Sequence, residues 1–183
     1  MHYYVARSHF ALEDFERAYK EFVSFIEITS DSELKYSSHF YLLGCLQKMK
    51  NLSLFDDVMK RIEKDYKTDK LYLEALFSRA LIHKESENIL SAESDFTAIL
   101  ESELPFSQKQ EMLFEWAHMY LSVDNTEKAY PFFKKYLAEN NDEGKNSLAW
   151  HYVIYCSVKE TEKNATEENR MRLESDLTRV LQK

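Results

Sequence analysis

Four times along this chain a small residue set in an apolar helical pattern is followed by a second marker and, four positions on, by a bulkier apolar side chain. The first markers are Ala6 in YYVARSHF, Gly44 in FYLLGCLQ, Ala80 in LFSRALIH and Ala117 in LFEWAHMY. The second are Ala18-x-x-x-Phe22, Val58-x-x-x-Ile62, Ala92-x-x-x-Phe96 and Ala129-x-x-x-Phe133, at gaps of 12, 14, 12 and 12 residues (6 to 18, 44 to 58, 80 to 92, 117 to 129). Between the markers lie short polar breaks: LED from Leu12, KNLS from Lys50, ESEN from Glu85 and SVDN from Ser122. A break that short admits only a tight helix–helix turn, so the unit is an antiparallel helix pair. Successive second markers are 40, 34 and 37 residues apart (18 to 58, 58 to 92, 92 to 129). That spacing is the period of helical solenoids, in which each pair buries its apolar face against its neighbours.

Composition supports an all-α fold. Only two Gly and two Pro stand among 183 residues, too few to punctuate hairpins of strands. With 44% apolar and 31% charged residues the chain can both bury a core and solvate its surface. The net charge of −8 repels a phosphate backbone or an anionic membrane surface, so no nucleic acid and no membrane insertion is expected. Cys45 and Cys156 lie far apart without metal-ligand spacing, which predicts two buried thiols and no metal site. There is no apolar run of membrane-spanning length, and MHYYVARSHF carries Arg7 and two His where a leader would be apolar. Free thiols without an export signal lean towards a cytoplasmic setting, or a periplasmic or secreted one for a processed chain.

The pattern resembles the tetratricopeptide repeat (TPR), whose helix-turn-helix carries an aromatic, a Leu-Gly pair, an aromatic and then Ala-x-x-x-Phe. FYLLGCLQ, with Leu43 and Gly44, matches the first half; WAHMY, with Ala117 and Tyr120 followed by Ala129 and Phe133, matches the whole unit. The resemblance implies a right-handed helical-hairpin solenoid of about four to five helix pairs. The expected repeats are 1–31, 32–68, 69–105 and 106–141, with a divergent capping pair over 142–183, in one domain or a piece of a longer solenoid. A HEAT-like array is the alternative, though its longer repeats fit the spacings less well.

Packing explains the markers: a small residue lets two helices approach closely, and the Phe fills the space beneath the next repeat. Several positions depart from the family pattern. Arg79 stands where Leu is preferred, His9, Gln47 and His83 where Tyr is, and Val58 with Ile62 reads as two extra residues in the second turn. Pro131 predicts a bend in its helix and Pro105 a helix stop. Leu173, Leu177, Val180 and Leu181 predict one apolar stripe on a last helix with a charged back. The apolar start of the chain lacks the polar outer face of a terminal repeat, which predicts that the first helix docks on something or continues a longer array.

In the resembling family the first helices of the pairs line a concave groove that holds an extended peptide or a partner helix. Three residues before each small marker stand Tyr3, Tyr41, Phe77 and Phe114, either a ladder of rings along one groove wall or part of the core. One residue after each marker come Arg7, Cys45, Leu81 and His118, and four after come Phe10, Lys48, Lys84 and Leu121. A clamp for acidic chaperone tails, as the resemblance would offer it, is not expected, because Tyr41, Cys45, Phe77 and Leu81 replace its Lys and Asn residues. No GxxxxGK[ST], GxSxG, GxGxxG or HExxH motif occurs, so neither catalysis nor a cofactor is expected. The reading is a non-catalytic adaptor or scaffold that binds a protein or peptide partner in its groove. The alternative is a structural spacer or a segment that self-associates into a homo-oligomer.

Overall fold

The structure, a computed structural model, describes residues 2–140 and 143–181. Among the described residues there are ten α-helices and no strand. They are α1 (His2–Ala11), α2 (Phe15–Ile28), α3 (Ser32–Met49), α4 (Leu52–Tyr66), α5 (Lys70–Glu85), α6 (Ile89–Glu101), α7 (Lys109–Ser122), α8 (Thr126–Glu139), α9 (Glu143–Lys163) and α10 (Glu167–Leu181). None of them is long and apolar enough to cross a membrane. The chain forms two compact units, Met1–Phe106 and Ser107–Lys183.

Four of the hairpins share one turn. Glu13, Lys50, Glu87 and Asp124 adopt left-handed backbone conformations, with φ of 59°, 51°, 57° and 54°. Each is followed by an Asp or Asn whose side chain caps the next helix: Asp14 accepts from Arg17 N, Asn51 from Leu54 N, Asn88 from Ser91 N and Asn125 from Lys128 N. Each capping residue also donates its own N–H to the carbonyl five residues back, on His9, Leu46, His83 and Tyr120. The left-handed residue thus satisfies orphan carbonyls of one helix while the Asx side chain satisfies orphan amides of the next. These turn residues recur every 37 positions (13 to 50, 50 to 87, 87 to 124).

That period corrects the expected register of the second pair. Its left-handed residue and the Asn cap after it stand as in the other turns, so no extra residues are inserted there. Counted from the turn, Leu43 takes the place of Ala6, Ala80 and Ala117, and Phe55 that of Ala18, Ala92 and Ala129. Val58 and Ile62 are buried too, one and two turns further along α4. A Leu facing a Phe cannot allow the approach that Ala facing Ala does, and α3 and α4 form the loosest of these hairpins.

In the first unit α1 packs on α2, α2 on α3, α3 and α4 on α5, and α5 on α6. Ala6, Ala18, Phe22, Phe55, Ala80, Ala92 and Phe96 are fully buried along these contacts. The ring of Tyr41 stacks flat on Phe22 at 5.2 Å and meets the edge of Phe10 at the same distance. Phe10 also comes within 3.1 Å of where a Cβ on Gly44 would stand, so this glycine makes room for a ring from α1. Arg79, the departure from the family pattern on α5, meets the buried Asp95 of α6 through two hydrogen bonds.

In the second unit α7 packs on α8, α8 on α9 and α9 on α10. Ala117, Ala129 and Phe133 are fully buried, and Tyr152 of α9 stacks on Phe133 at 5.1 Å. Truncating a buried Phe such as Phe96 or Phe133 to Ala costs roughly 3–5 kcal/mol. The helix α8 runs unbroken through the exposed Pro131.

The last helix departs from its expected apolar docking. Leu177 is 39% and Leu181 85% exposed, while the buried residue of α10 is Asp176. Its carboxylate accepts from Tyr130 Oη at 2.9 Å, Lys134 Nζ at 2.7 Å and Ser157 Oγ at 2.9 Å. One carboxylate thereby joins three helices.

Candidate protein-binding surface

The side chains read as groove residues are not all placed alike. Tyr3 is buried, donates or accepts a hydrogen bond with Ser37 Oγ at 2.8 Å, and meets Tyr41 edge-on at 6.4 Å. Arg7 is exposed and lies over both rings, 5.8 Å from Tyr3 and 5.5 Å from Tyr41. Phe77 is buried against Phe96 and Phe106. Leu81 and Lys84 are half-buried and Lys48 is exposed.

Cys45 is fully buried, and burial pushes its thiol up to about 12; it cannot face a partner. The register explains why. Counted from the turn, the second-pair counterparts of Arg7, Leu81 and His118 fall on Gly44, and those of Tyr3, Phe77 and Phe114 on Phe40, which is 47% exposed. Phe40 therefore holds the repeat position of Tyr3 and Phe77, and Tyr41 is turned into the Phe10–Phe22 cluster. The signal that would have found this in the sequence is the series of Asx residues at 14, 51, 88 and 125.

Phe114 is different from Tyr3 and Phe77. It is half-buried and lies among Phe133 at 5.6 Å, Tyr136 at 5.3 Å and Tyr152 at 6.1 Å, with His118 stacked on it at 6.4 Å. Beside it opens a pocket of about 500 Å³, lined by Ser107, Gln108, Gln110, Glu111, Phe114, Tyr136 and Leu148. Leu148 is half-exposed at this pocket, a lining residue that the marker pattern did not reveal because α9 lies beyond the last matching repeat. A smaller space of about 100 Å³ in the first unit lies among side chains of α2, α3 and α4, including His39 and Arg61.

No group of three or more His, Cys, Asp or Glu residues fit to hold a metal ion occurs among the described residues. Cys156, like Cys45, has its thiol pushed up to about 12 by burial, the reverse of what a nucleophile needs. His39 and His83 both have ring pKa values lowered by burial. The second unit holds a cleft with an apolar floor and with amide and carboxylate groups around it.

No protein-family model and no curated protein matches the chain. A crystal structure of kinesin light chain TPR-like repeats from Podosopora anserina superposes on 98% of this chain and 94% of its own, with a TM-score of 0.63 at 13% identity. The chain has the TPR-like repeat fold. A point variant of the same Podosopora anserina protein superposes on 100% of this chain and 95% of its own, with a TM-score of 0.62. The TPR-like fold accounts for the buried small markers and for the hairpin-by-hairpin packing within each unit.

Proposed function

We propose that this TPR-like protein is a non-catalytic interaction module that holds a segment of a partner protein against the inner face of α7 and α9. Repeats of this fold serve in general as protein-interaction modules. The observation that carries the reading here is the pocket beside Phe114, about 500 Å³, large enough for a bulky side chain and part of its main chain. Its ring floor and half-exposed Leu148 favour an apolar anchor.

The test is a selection of displayed random peptides on the whole chain, followed by binding of the enriched peptides to a Leu148→Asp variant. Because Leu148 is 50% exposed, the substitution spares the core. Enriched peptides that lose binding to the variant support the reading; enriched peptides indifferent to it sink the pocket as the site.

Self-association is a second reading, favoured by Tyr4 and Val5, which are 66% and 40% exposed on α1. Sedimentation that shows a dimer abolished by Tyr4→Glu would make α1 the working surface.

A further inference from the structure

The pocket of the second unit is chemically one-sided. Among the described residues that line it, Glu111 is the charged one. The Glu111 carboxylate accepts only a long contact from Gln108 Nε2, 3.4 Å. The adjacent cation, Lys109, is already held by Glu139 at 3.2 Å, and the Gln110 amide is committed to the Glu139 carbonyl. An exposed carboxylate therefore lines the same pocket as the Phe114 and Tyr136 rings, in a chain whose net charge is −8.

Elsewhere this protein pairs the same three chemistries with one another. Lys134 lies 4.8 Å from the Trp150 ring and 5.7 Å from the Tyr130 ring while its ammonium sits 2.7 Å from Asp176. Arg172 lies 4.7 Å over Tyr130. Lys134 thus shows a cation held between aromatic rings and a carboxylate. The pocket beside Phe114 has the ring and the carboxylate, and its described lining residues include no cation.

We propose that this pocket takes an arginine or lysine side chain from a basic, apolar-flanked segment of a partner protein, with the stem on Phe114 and the cationic head at Glu111. The proposal rests on the reading of the pocket as the interaction site. Stems of Arg and Lys bury readily against apolar surface with the charge kept at a polar edge, and the ring face attracts the cation. The neighbouring Leu148 then receives an apolar residue flanking the basic one. The acidic field of the whole chain speeds encounter with such a segment and disfavours an acidic one.

The experiment uses three labelled peptides of equal length, alternating leucine with arginine, with serine or with glutamate, titrated against the whole chain by fluorescence anisotropy. The arginine peptide is expected to bind about tenfold tighter than the other two. Glu111→Gln, with helicity verified by circular dichroism, is expected to weaken the arginine peptide about three- to fivefold and leave the serine peptide unchanged. Leu148→Ser is expected to weaken all three.

If Glu111→Gln leaves the arginine peptide's affinity unchanged, its binding reflects the net charge of the chain and the proposal is overturned. If the glutamate peptide binds tightest and loses affinity in Leu148→Ser, the pocket remains the site and its basic specificity is wrong. If no peptide depends on Leu148, the proposal and the pocket reading fall together.

Discussion

Arg79 closes a two-pronged contact on Asp95, with Nε 2.9 Å from Oδ2 and a terminal guanidinium nitrogen 2.7 Å from Oδ1. Asp95 is buried, and the remaining side of the guanidinium reaches the exposed Asp56 at 3.5 Å. An arginine occupies a position where the fold usually has leucine because a carboxylate from the paired helix meets it.

Removing only the carboxylate strands the charge. Asp95→Leu is expected to cost about 2–4 kcal/mol, below the usual figure for a fully buried pair because Asp56 and solvent still reach Arg79. The double variant Arg79→Leu, Asp95→Leu recovers most of that loss, since two apolar side chains replace a desolvated pair. Urea unfolding of the four chains of this cycle measures the coupling directly. Equal losses in the single and double variants would contradict the account.

The shared turns carry a testable cost. A non-glycine residue held at positive φ is disfavoured by contact of its Cβ with the backbone. Glu87→Gly is expected to stabilise the chain by about 0.5–1 kcal/mol, and the same change at Glu13 to act independently. Glycine within α6 at the exposed Ser94, as Ser94→Gly, should instead destabilise by about 0.5 kcal/mol. Thermal unfolding distinguishes the two signs.

The Asp176 carboxylate fastens the last helix. Asp176→Ala leaves Tyr130, Lys134 and Ser157 without their shared acceptor, and α10 has little buried apolar surface to hold it otherwise. A loss of roughly 3–5 kcal/mol is expected, concentrated at the end of the second unit. Hydrogen exchange should speed up in α10 and the facing part of α9 while α7 stays protected. Uniform acceleration across the unit would show that the carboxylate supports the whole core.

Alkaline pH should weaken the fold. Burial raises the Cys45 and Cys156 thiols from 9.0 to about 12, so the folded chain keeps two protons that the unfolded chain has lost. When the folded state binds more protons, stability falls as pH rises. The contribution is intact below 9.0 and drains away as pH climbs towards about 12. Tyr36 and Tyr130, raised by burial and by donating to Asp69 and Asp176, act in the same direction. A Cys45→Ala, Cys156→Ala chain should show a shallower decline of its urea midpoint over this range; an unchanged slope would remove the thiols from the explanation.

The helix pairs could be read from the sequence because their signal is packing. Ala6, Ala18, Phe22, Ala80, Ala92, Phe96, Ala117, Ala129 and Phe133 are fully buried, and buried residues repeat when the packing repeats. The second pair misled because its register is marked by backbone conformation. Gly44 looks like the small marker, yet it accommodates Phe10, and Leu43 occupies the repeating position. Asp95 and Asp176 were passed over for a different reason. A carboxylate on a helix reads as solvated until its partners arrive, and here those come from helices elsewhere in the fold. The pocket was half legible: Phe114 stood in the marker pattern, whereas Glu111 and Leu148 lie outside it.

The central claim is that the protein works through the cleft of α7 and α9. The most direct measurement is backbone and side-chain chemical-shift mapping on the whole chain with a tight peptide from the displayed library. The account predicts shifts clustered on Glu111, Phe114, Tyr136 and Leu148, with little change around Tyr4 and Val5. A cluster on the exposed face of α1, with the cleft unmoved, would contradict it.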